Sequence, residues 1–187
     1  MNQVLKRAFV GAALLSLFAF ASPGLAAEKT EDQLIADLDS PRASVVTSSL
    51  QKLEKEYPTT TKALPKMKKL LTDNRVEVRR KAARVLGVLH AEVSGEDLKN
   101  IVAMFKGDAA EQMDALKALR GLKAQSTVSD ILPLLKSPTP NVIRDACRTL
   151  AVLGDKSVIP SIEPLQSHPN AAVKKDAADA IFTLKAK

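Results

Sequence analysis

The fold is decided by residues 78–89, which read Val-Arg-Arg-Lys-Ala-Ala-Arg-Val-Leu-Gly-Val-Leu. Apolar residues in this stretch recur at the three- and four-residue spacing of one helical face, and basic residues take the opposite face. The apolar face consists of Val78, Ala82, Val85, Leu86 and Leu89. The small residues at positions 82 and 83 would let a neighbouring helix approach closely. The stretch therefore predicts an amphipathic helix that packs against other helices.

The same pattern recurs along the chain. Residues 142–153 and 173–184 match it in register, and weaker copies surround Leu119 and Leu50. The equivalent apolar residue falls at positions 50, 86, 119, 150 and 181, in steps of 36, 33, 31 and 31. A period of this size that is helical throughout is typical of a stacked helical repeat.

A second type of helix alternates with the first, and its apolar stripes begin near residues 64, 98, 131 and 159. Pro133 and Pro164 lie inside two of these helices and are expected to kink or shorten them. Thr30 and Ser94 are predicted N-caps, and Ser40 with Pro41 is predicted to start a further helix.

Strand patterns of alternating apolar and polar residues are missing, and aromatic residues make up only 3% of the chain. The sequence therefore predicts an all-α fold, a right-handed α-solenoid of stacked helix pairs. We expect one repeat domain over residues 28–187, with about four helix pairs and a half-pair at each end.

The phrase Val-Arg-x-x-Ala-Ala-x-x-Leu-Gly, with an aspartate shortly before it, resembles the short HEAT-like repeat known as the PBS-lyase HEAT type. The matching residues are Asp73, Val78, Arg79, Ala82, Ala83, Leu86 and Gly87. The resemblance covers the chain from about residue 31 to the end. It implies HEAT-like helix pairs in which the second helix lines the concave surface, but such repeats serve many unrelated functions.

Residues 1–27 have the pattern of a cleaved secretory signal peptide. Lys6 and Arg7 precede an apolar run from Ala8 to Ala21, and small residues follow at positions 22–27. An uncleaved anchor is the alternative, but the run is shorter than the ~20 residues of a membrane span. We expect a bacterial periplasmic or secreted protein with no membrane span after cleavage.

The only cysteine, Cys147, stands where two other copies of the repeat carry alanine. A single cysteine forms no disulfide within the chain. The position favours a small buried side chain, and an intermolecular disulfide or a reactive thiol remains the alternative.

Positive charge is concentrated in residues 52–84, which hold eleven Lys or Arg against four Asp or Glu, in a chain of net charge +7. Two helical faces carry the candidate binding residues: Lys62, Lys66, Lys69, Arg80 and Arg84. If the resemblance holds, the lysine row faces the concave groove. The functional interpretation is a patch for an acidic partner, which could be a protein surface, an anionic lipid or a cell-wall polymer, and the alternative is an ordinary solvated face. Nucleic acid is disfavoured because export removes the protein from the chromosome and no aromatic residue is interleaved to stack on bases.

Residues that carry chemistry are few. His90 ends a helix, where a cation is favoured, and His168 lies in a turn. Neither has a second His, Cys or carboxylate at the spacing of one helical face, so no metal site is predicted. Asp176 and Asp179 are interpreted as surface variation. No nucleophile motif or phosphate loop is present. We therefore expect no enzymatic activity and no cofactor.

These observations favour an exported HEAT-like repeat scaffold that binds another protein through its concave or basic surface. The first alternative is an enzyme that resembles the bilin lyases. This alternative rests on the resemblance of the repeats alone, because no catalytic residue can be carried over to this sequence. The second is a self-assembling structural protein, with a homodimer formed through Ile181, Phe182 and Leu184 of the C-terminal helix.

Overall fold

A computed structural model describes residues 28–187, so the predicted signal peptide lies outside the described residues. Those residues form ten α-helices and no strand. They are α1 (Glu31–Asp37), α2 (Ala43–Glu56), α3 (Leu64–Lys69), α4 (Val76–Val88), α5 (Gly95–Ala103), α6 (Ala109–Gly121), α7 (Val128–Ile131), α8 (Pro140–Leu153), α9 (Ile159–Ile162) and α10 (Ala171–Lys185). The predicted all-α solenoid of stacked helix pairs is confirmed.

Long and short helices form two layers. The long helices α2, α4, α6, α8 and α10 contact one another in order. The short helices α5, α7 and α9 leave grooves of about 420 and 650 Å³ between neighbours. Each long helix packs against the short helix that precedes it and is therefore the second helix of its pair. The resemblance to HEAT-like repeats implies that the second helix lines the concave surface, so we call the long helices the concave layer and the short helices the outer layer. The lysine row was expected on a second helix of a pair, but Lys66 and Lys69 lie on α3, the first helix of its pair.

The repeat motif places small residues where long helices meet. Ala82, Ala83 and Leu86 of α4 are fully buried. A Cβ atom built on Gly87 would lie 2.8 Å from the Cα of Ala118, and one on Gly121 would lie 2.4 Å from the Gly87 carbonyl oxygen. The backbones of α4 and α6 therefore approach each other at a distance that only glycine permits.

Both of these helices end with a non-glycine residue in the left-handed region. His90 has φ 48° and Lys123 has φ 53°. The amide of Ala91 donates to the Leu86 carbonyl at 3.0 Å, the long-range hydrogen bond of a Schellman motif. His90 Nδ1 also lies 2.8 Å from the Gly121 carbonyl oxygen, so this side chain ties the end of α4 to the end of α6.

Proline shortens two helices of the outer layer, as predicted. The helices α7 and α9 are four residues each, and each passes into a 3₁₀ segment, Leu132–Lys136 or Glu163–Ser167, that contains Pro133 or Pro164. Proline lacks the amide that would continue the α-helical hydrogen bonds. These segments give the outer layer its irregular surface.

The predicted N-caps at Thr30 and Ser94 are confirmed, and both form reciprocal capping boxes. The predicted helix start at Ser40 and Pro41 is wrong, because α2 begins at Ala43 with Arg42 as its N-cap. Ser40 instead accepts a hydrogen bond from the Arg42 amide at 3.2 Å. The Ser-Pro pair therefore forms the connecting turn before the helix.

Cys147 is fully buried in the core, as its position predicted. Burial, with a smaller contribution from the charge of Asp176, raises the pKa of its thiol to about 12. A neutral and inaccessible thiol does not favour the intermolecular disulfide or the reactive thiol.

Candidate interaction surface

Three buried aspartates form a column across the concave layer. Asp114, Asp145 and Asp176 occupy the same position on α6, α8 and α10, each 31 residues after the last. Their side chains are only 7%, 9% and 9% exposed. Buried carboxylates need partners, because removing a charge from water is costly.

Each aspartate is paired with cations from the preceding helix. Arg80 Nε donates to Asp114 at 2.8 Å, and Arg84 lies 3.9 Å from the same carboxylate. Lys117 approaches Asp145 at 3.8 Å. The pattern links α4 to α6 and α6 to α8.

The last aspartate of the column receives two arginines from α8. Arg144 Nε donates to Asp176 at 2.6 Å, and Arg148 lies 3.1 Å from it. Arg148 also approaches Asp145 at 3.7 Å. The ion pairs therefore continue through α10, and they hold successive long helices together.

Four of these cations remain open to solvent, and we call them the basic strip: Arg80, Arg84, Lys117 and Arg148. Their side chains are 35%, 50%, 45% and 46% exposed. The carboxylates lie beneath them and present almost no surface. A partner approaching the concave layer therefore meets positive charge first, although every cation has a carboxylate close by.

The sequence placed Arg80 and Arg84 in one patch with Lys62, Lys66 and Lys69, and the structure divides that patch. The two arginines lie on the concave layer, whereas the lysines lie at α3 in the outer layer. Lys62 pairs with Asp32 at 3.6 Å, and Lys66 pairs with Asp39.

The lysine row differs from the basic strip in where its carboxylates lie. Asp32 and Asp39 are 81% and 66% exposed. Positive and negative charges are therefore presented side by side there, so a ligand carboxylate that approaches Lys62 or Lys66 also meets an exposed acid. The lysine row is the weaker candidate for an acidic partner.

Sequence reasoning missed Lys117, Arg148 and the aspartate column. The interpretation of Asp176 as surface variation is wrong, since this side chain is buried against two arginines. For Asp179 the interpretation is confirmed, because it is 61% exposed and pairs with Lys175. The recurrence of aspartate every 31 residues was the signal that could have identified the column.

An apolar row runs beside the basic strip, one helical turn further on. Val88 follows Arg84 by four residues and is 54% exposed, and Val152 follows Arg148 by four and is 49% exposed. Gly121 takes the equivalent place after Lys117, where the Gly87 backbone fills the side-chain direction, so the row consists of the two valines alone. Exposed aliphatic side chains next to a charged row are typical of binding surfaces that combine apolar and ionic contacts.

The C-terminal helix offers less apolar surface than the sequence suggested. Ile181 and Leu184 are buried against the preceding repeat, and only Phe182 is exposed, at 78%. Lys174, Lys175 and Asp179 are exposed beside it. The outer side of α10 is therefore mostly polar, as a terminal repeat requires.

Residues 28–187 contain no group of three His, Cys, Asp or Glu side chains arranged to hold a metal ion. His168 accepts a hydrogen bond from the Asn170 amide at 3.0 Å, so it stabilises a turn. No helix within the same range has both the length and the apolar character needed to span a bilayer.

Comparison with known proteins supports the repeat fold. Residues 97–181 match the family model described as HEAT repeats. No curated protein matches the chain.

Solved structures resemble the chain over most of its length. The complex of CpcE and CpcF of phycocyanin lyase from Nostoc sp. PCC7120 has a chain that is 21% identical, with a TM-score of 0.72, and the match covers 94% of this chain and 71% of that one. One engineered protein is 20% identical, with a TM-score of 0.64, and the match covers 82% of this chain and 78% of that one. A second engineered protein is 21% identical, with a TM-score of 0.67, and the match covers 83% of this chain and 81% of that one. At these identities the similarity shows the fold and no activity.

Proposed function

We propose that this HEAT-like solenoid is a scaffold that binds an acidic segment of another protein along the basic strip and catalyses no reaction itself. The observation that carries the proposal is the layering of charge: exposed cations lie over carboxylates that are less than a tenth exposed. A ligand carboxylate can contact the cations without meeting the aspartates. The apolar row at Val88 and Val152 supplies contacts that do not depend on charge.

A protein partner fits this surface better than nucleic acid does. No aromatic residue lies among the four positions of the basic strip, so bases would have nothing on which to stack. The strip is also short and is backed by aspartates, whereas nucleic-acid sites need many phosphate contacts. Solenoids of stacked repeats commonly bind extended ligands on their concave side.

Salt dependence tests the proposal. The chain from Glu28, immobilised and exposed to periplasmic extract, should retain an acidic protein at low ionic strength and release most of it near 0.5 M salt. The physical reason is that contacts with half-exposed cations are screened, the Debye length being only about 4 Å at that salt concentration. Retention of the same proteins at both salt concentrations would contradict an ionic interface.

We also propose export, on the sequence of residues 1–27. Expression of the full chain in a Gram-negative host should give a periplasmic product whose N-terminus lies at about Ala27 or Glu28, since the small residues at positions 22–27 suit signal peptidase. Cell fractionation and N-terminal sequencing would measure this. A cytoplasmic product that keeps Met1 would overturn export and leave the binding proposal in place.

A further inference from the structure

The last long helix, α10, exposes a face that the inner long helices bury. On α4 the side-chain direction of Gly87 is filled by Ala118 of the following helix. Ala83, four residues earlier, lies on the same face and is fully buried. The same two positions of α10 carry Ala178 and Phe182, and both are exposed. The terminal face of α10, as we call it, consists of Lys175, Ala178 and Phe182.

The position of Ala178 is buried wherever a further long helix follows. It is occupied by Leu116 on α6 and by Cys147 on α8, and both side chains are fully buried. The distance between packed helices follows the side chains at the contact, so an alanine lets another helix approach closely. The terminal face therefore keeps the small residue that α4 uses to pack against its successor.

The charge of the terminal face also matches that of an inner repeat. Two of the three inner long helices, α4 and α8, carry an arginine at one position of this face. Arg80 donates to Asp114 of the next long helix at 2.8 Å. Arg144 donates to Asp176 of the next long helix at 2.6 Å. Lys175 stands at the equivalent position of α10 and is 75% exposed, so it lies where the inner helices receive an aspartate from the following repeat.

A second copy of this chain does not supply that carboxylate. The exposed side of α10 carries Lys174, Lys175 and Lys185 against Asp179, which already pairs with Lys175 at 2.6 Å. Two α10 helices in contact would bring lysines against lysines, which is unfavourable. A copy stacked head to tail would present α2, which has Val45 at the aspartate position. The charges therefore favour a different protein with an acidic helix.

The mixed character of the terminal face suits a reversible interface. Interfaces between proteins that also exist apart are about as polar as the rest of the surface, and aromatic residues are enriched at their centres. Phe182 is 78% exposed between charged and small side chains. A face of this kind tolerates water in the free protein and still offers an aromatic anchor to a partner.

We infer that the terminal face binds a helical repeat of a partner protein, which continues the stack and places an acidic side chain against Lys175. The contact that it continues is the one between α8 and α10, where Arg144 meets Asp176. The terminal face is separate from the basic strip, so this interface does not rest on the proposed function.

A chain extended by a second copy of residues 156–187 after Lys187 tests whether the terminal face accepts a repeat. The added long helix would bring its own copy of the Asp176 carboxylate to Lys175. We expect its amides to exchange with solvent at least about tenfold more slowly than those of the same extension on an Ala178→Glu chain. The reason is that a glutamate at this position would be buried in the extended stack without a partner.

Thr183→Glu is the matched control. Thr183 is exposed on the same helix, but the equivalent Val88 and Val152 stay exposed within the stack. This variant should leave the exchange of the added helix unchanged. In the chain without the extension, Ala178→Glu and Thr183→Glu should each shift the melting temperature by less than about 2 °C, because both positions are exposed.

A double-mutant cycle in the extended chain tests the ion pair. Lys175→Gln should speed exchange of the added helix about threefold. It should have little further effect once the added copy of Asp176 is replaced by asparagine. Independent effects of the two changes would contradict the pairing with Lys175.

Photo-crosslinking identifies the occupant. Benzoylphenylalanine in place of Phe182, irradiated in an extract of the source cells, should link the full chain to a helix of another protein. That helix should carry Asp or Glu within about four residues of the linked position. The link should be lost from the Ala178→Glu chain and kept by the Thr183→Glu chain.

Links to a second copy of this chain alone, or no link, would overturn the inference. Equal exchange of the added helix with and without Ala178→Glu would overturn it as well. Each of these results leaves acidic binding along the basic strip intact, because the strip lies on a different side of the helices.

Discussion

Gly121→Ala is expected to lower the free energy of unfolding by about 2–3 kcal/mol. The new Cβ atom would lie 2.4 Å from the carbonyl oxygen and 2.8 Å from the carbonyl carbon of Gly87. Both are backbone atoms, so no side chain can move to relieve the contact, and α4 and α6 must separate. The gain in helix propensity from alanine, at most about 1 kcal/mol, only partly offsets this cost.

Thermal and urea denaturation followed by circular dichroism would measure the effect, which should lower the melting temperature by roughly 5–10 °C. Gly95→Ala is the matched control. A Cβ atom at Gly95 meets nothing within 4 Å, and no glycine in residues 28–187 has positive φ. This change should be neutral or stabilise by about 0.5 kcal/mol. Equal stability of the Gly121→Ala variant and the unmodified protein would contradict the described approach of the two helices.

Asp176→Ala is expected to lower the free energy of unfolding by about 1.5–3 kcal/mol. It removes the buried carboxylate to which Arg144 and Arg148 donate at 2.6 and 3.1 Å. The two arginines are 30% and 46% exposed and can turn to water, so the loss should be smaller than for a fully buried ion pair. The effect should be concentrated in the last repeat, because repeat stability is largely a sum of neighbouring interfaces.

Urea denaturation and amide hydrogen exchange of α10 would measure this loss. Asp179→Ala, three residues further along the same helix, removes an exposed ion pair with Lys175. It should change stability by less than about 0.5 kcal/mol. If both variants lose the same stability, the aspartate column does not hold the repeats together.

Much of the fold could be predicted because each helix carries its own apolar stripe. The residues at positions 50, 86, 119, 150 and 181 recur on that stripe, and four of them are fully buried while Ile181 is 4% exposed. Helix shortening at Pro133 and Pro164 was predictable because proline acts on its own helix. The start of α2 could not be predicted in this way, because Ser40 and Pro41 suit a turn as well as a helix cap.

The charge pattern was harder to predict because each ion pair joins two helices. The spacing of Lys62 and Lys66 predicted one helical face, but that pattern cannot show that Asp32 and Asp39 lie opposite them, or that Lys62 precedes α3. The aspartate column becomes visible only when the repeats are aligned and compared position by position. Burial of the column then depends on how the helices pack, which the sequence of a single helix does not specify.

The central claim is that an acidic partner binds the basic strip and not the lysine row. The most direct measurement compares two triple variants of the chain from Glu28 in capture from periplasmic extract at low salt. One variant neutralises Arg84, Lys117 and Arg148 to glutamine, and the other neutralises Lys62, Lys66 and Lys69 in the same way. The two remove equal charge, so non-specific attraction falls equally. We predict that the first variant loses the acidic partner and the second retains it. The first variant also leaves the buried Asp145 without its two cations, so capture is compared at a temperature at which circular dichroism shows both variants to be folded. Loss of the partner from the second variant alone, or its retention by both, would contradict the account.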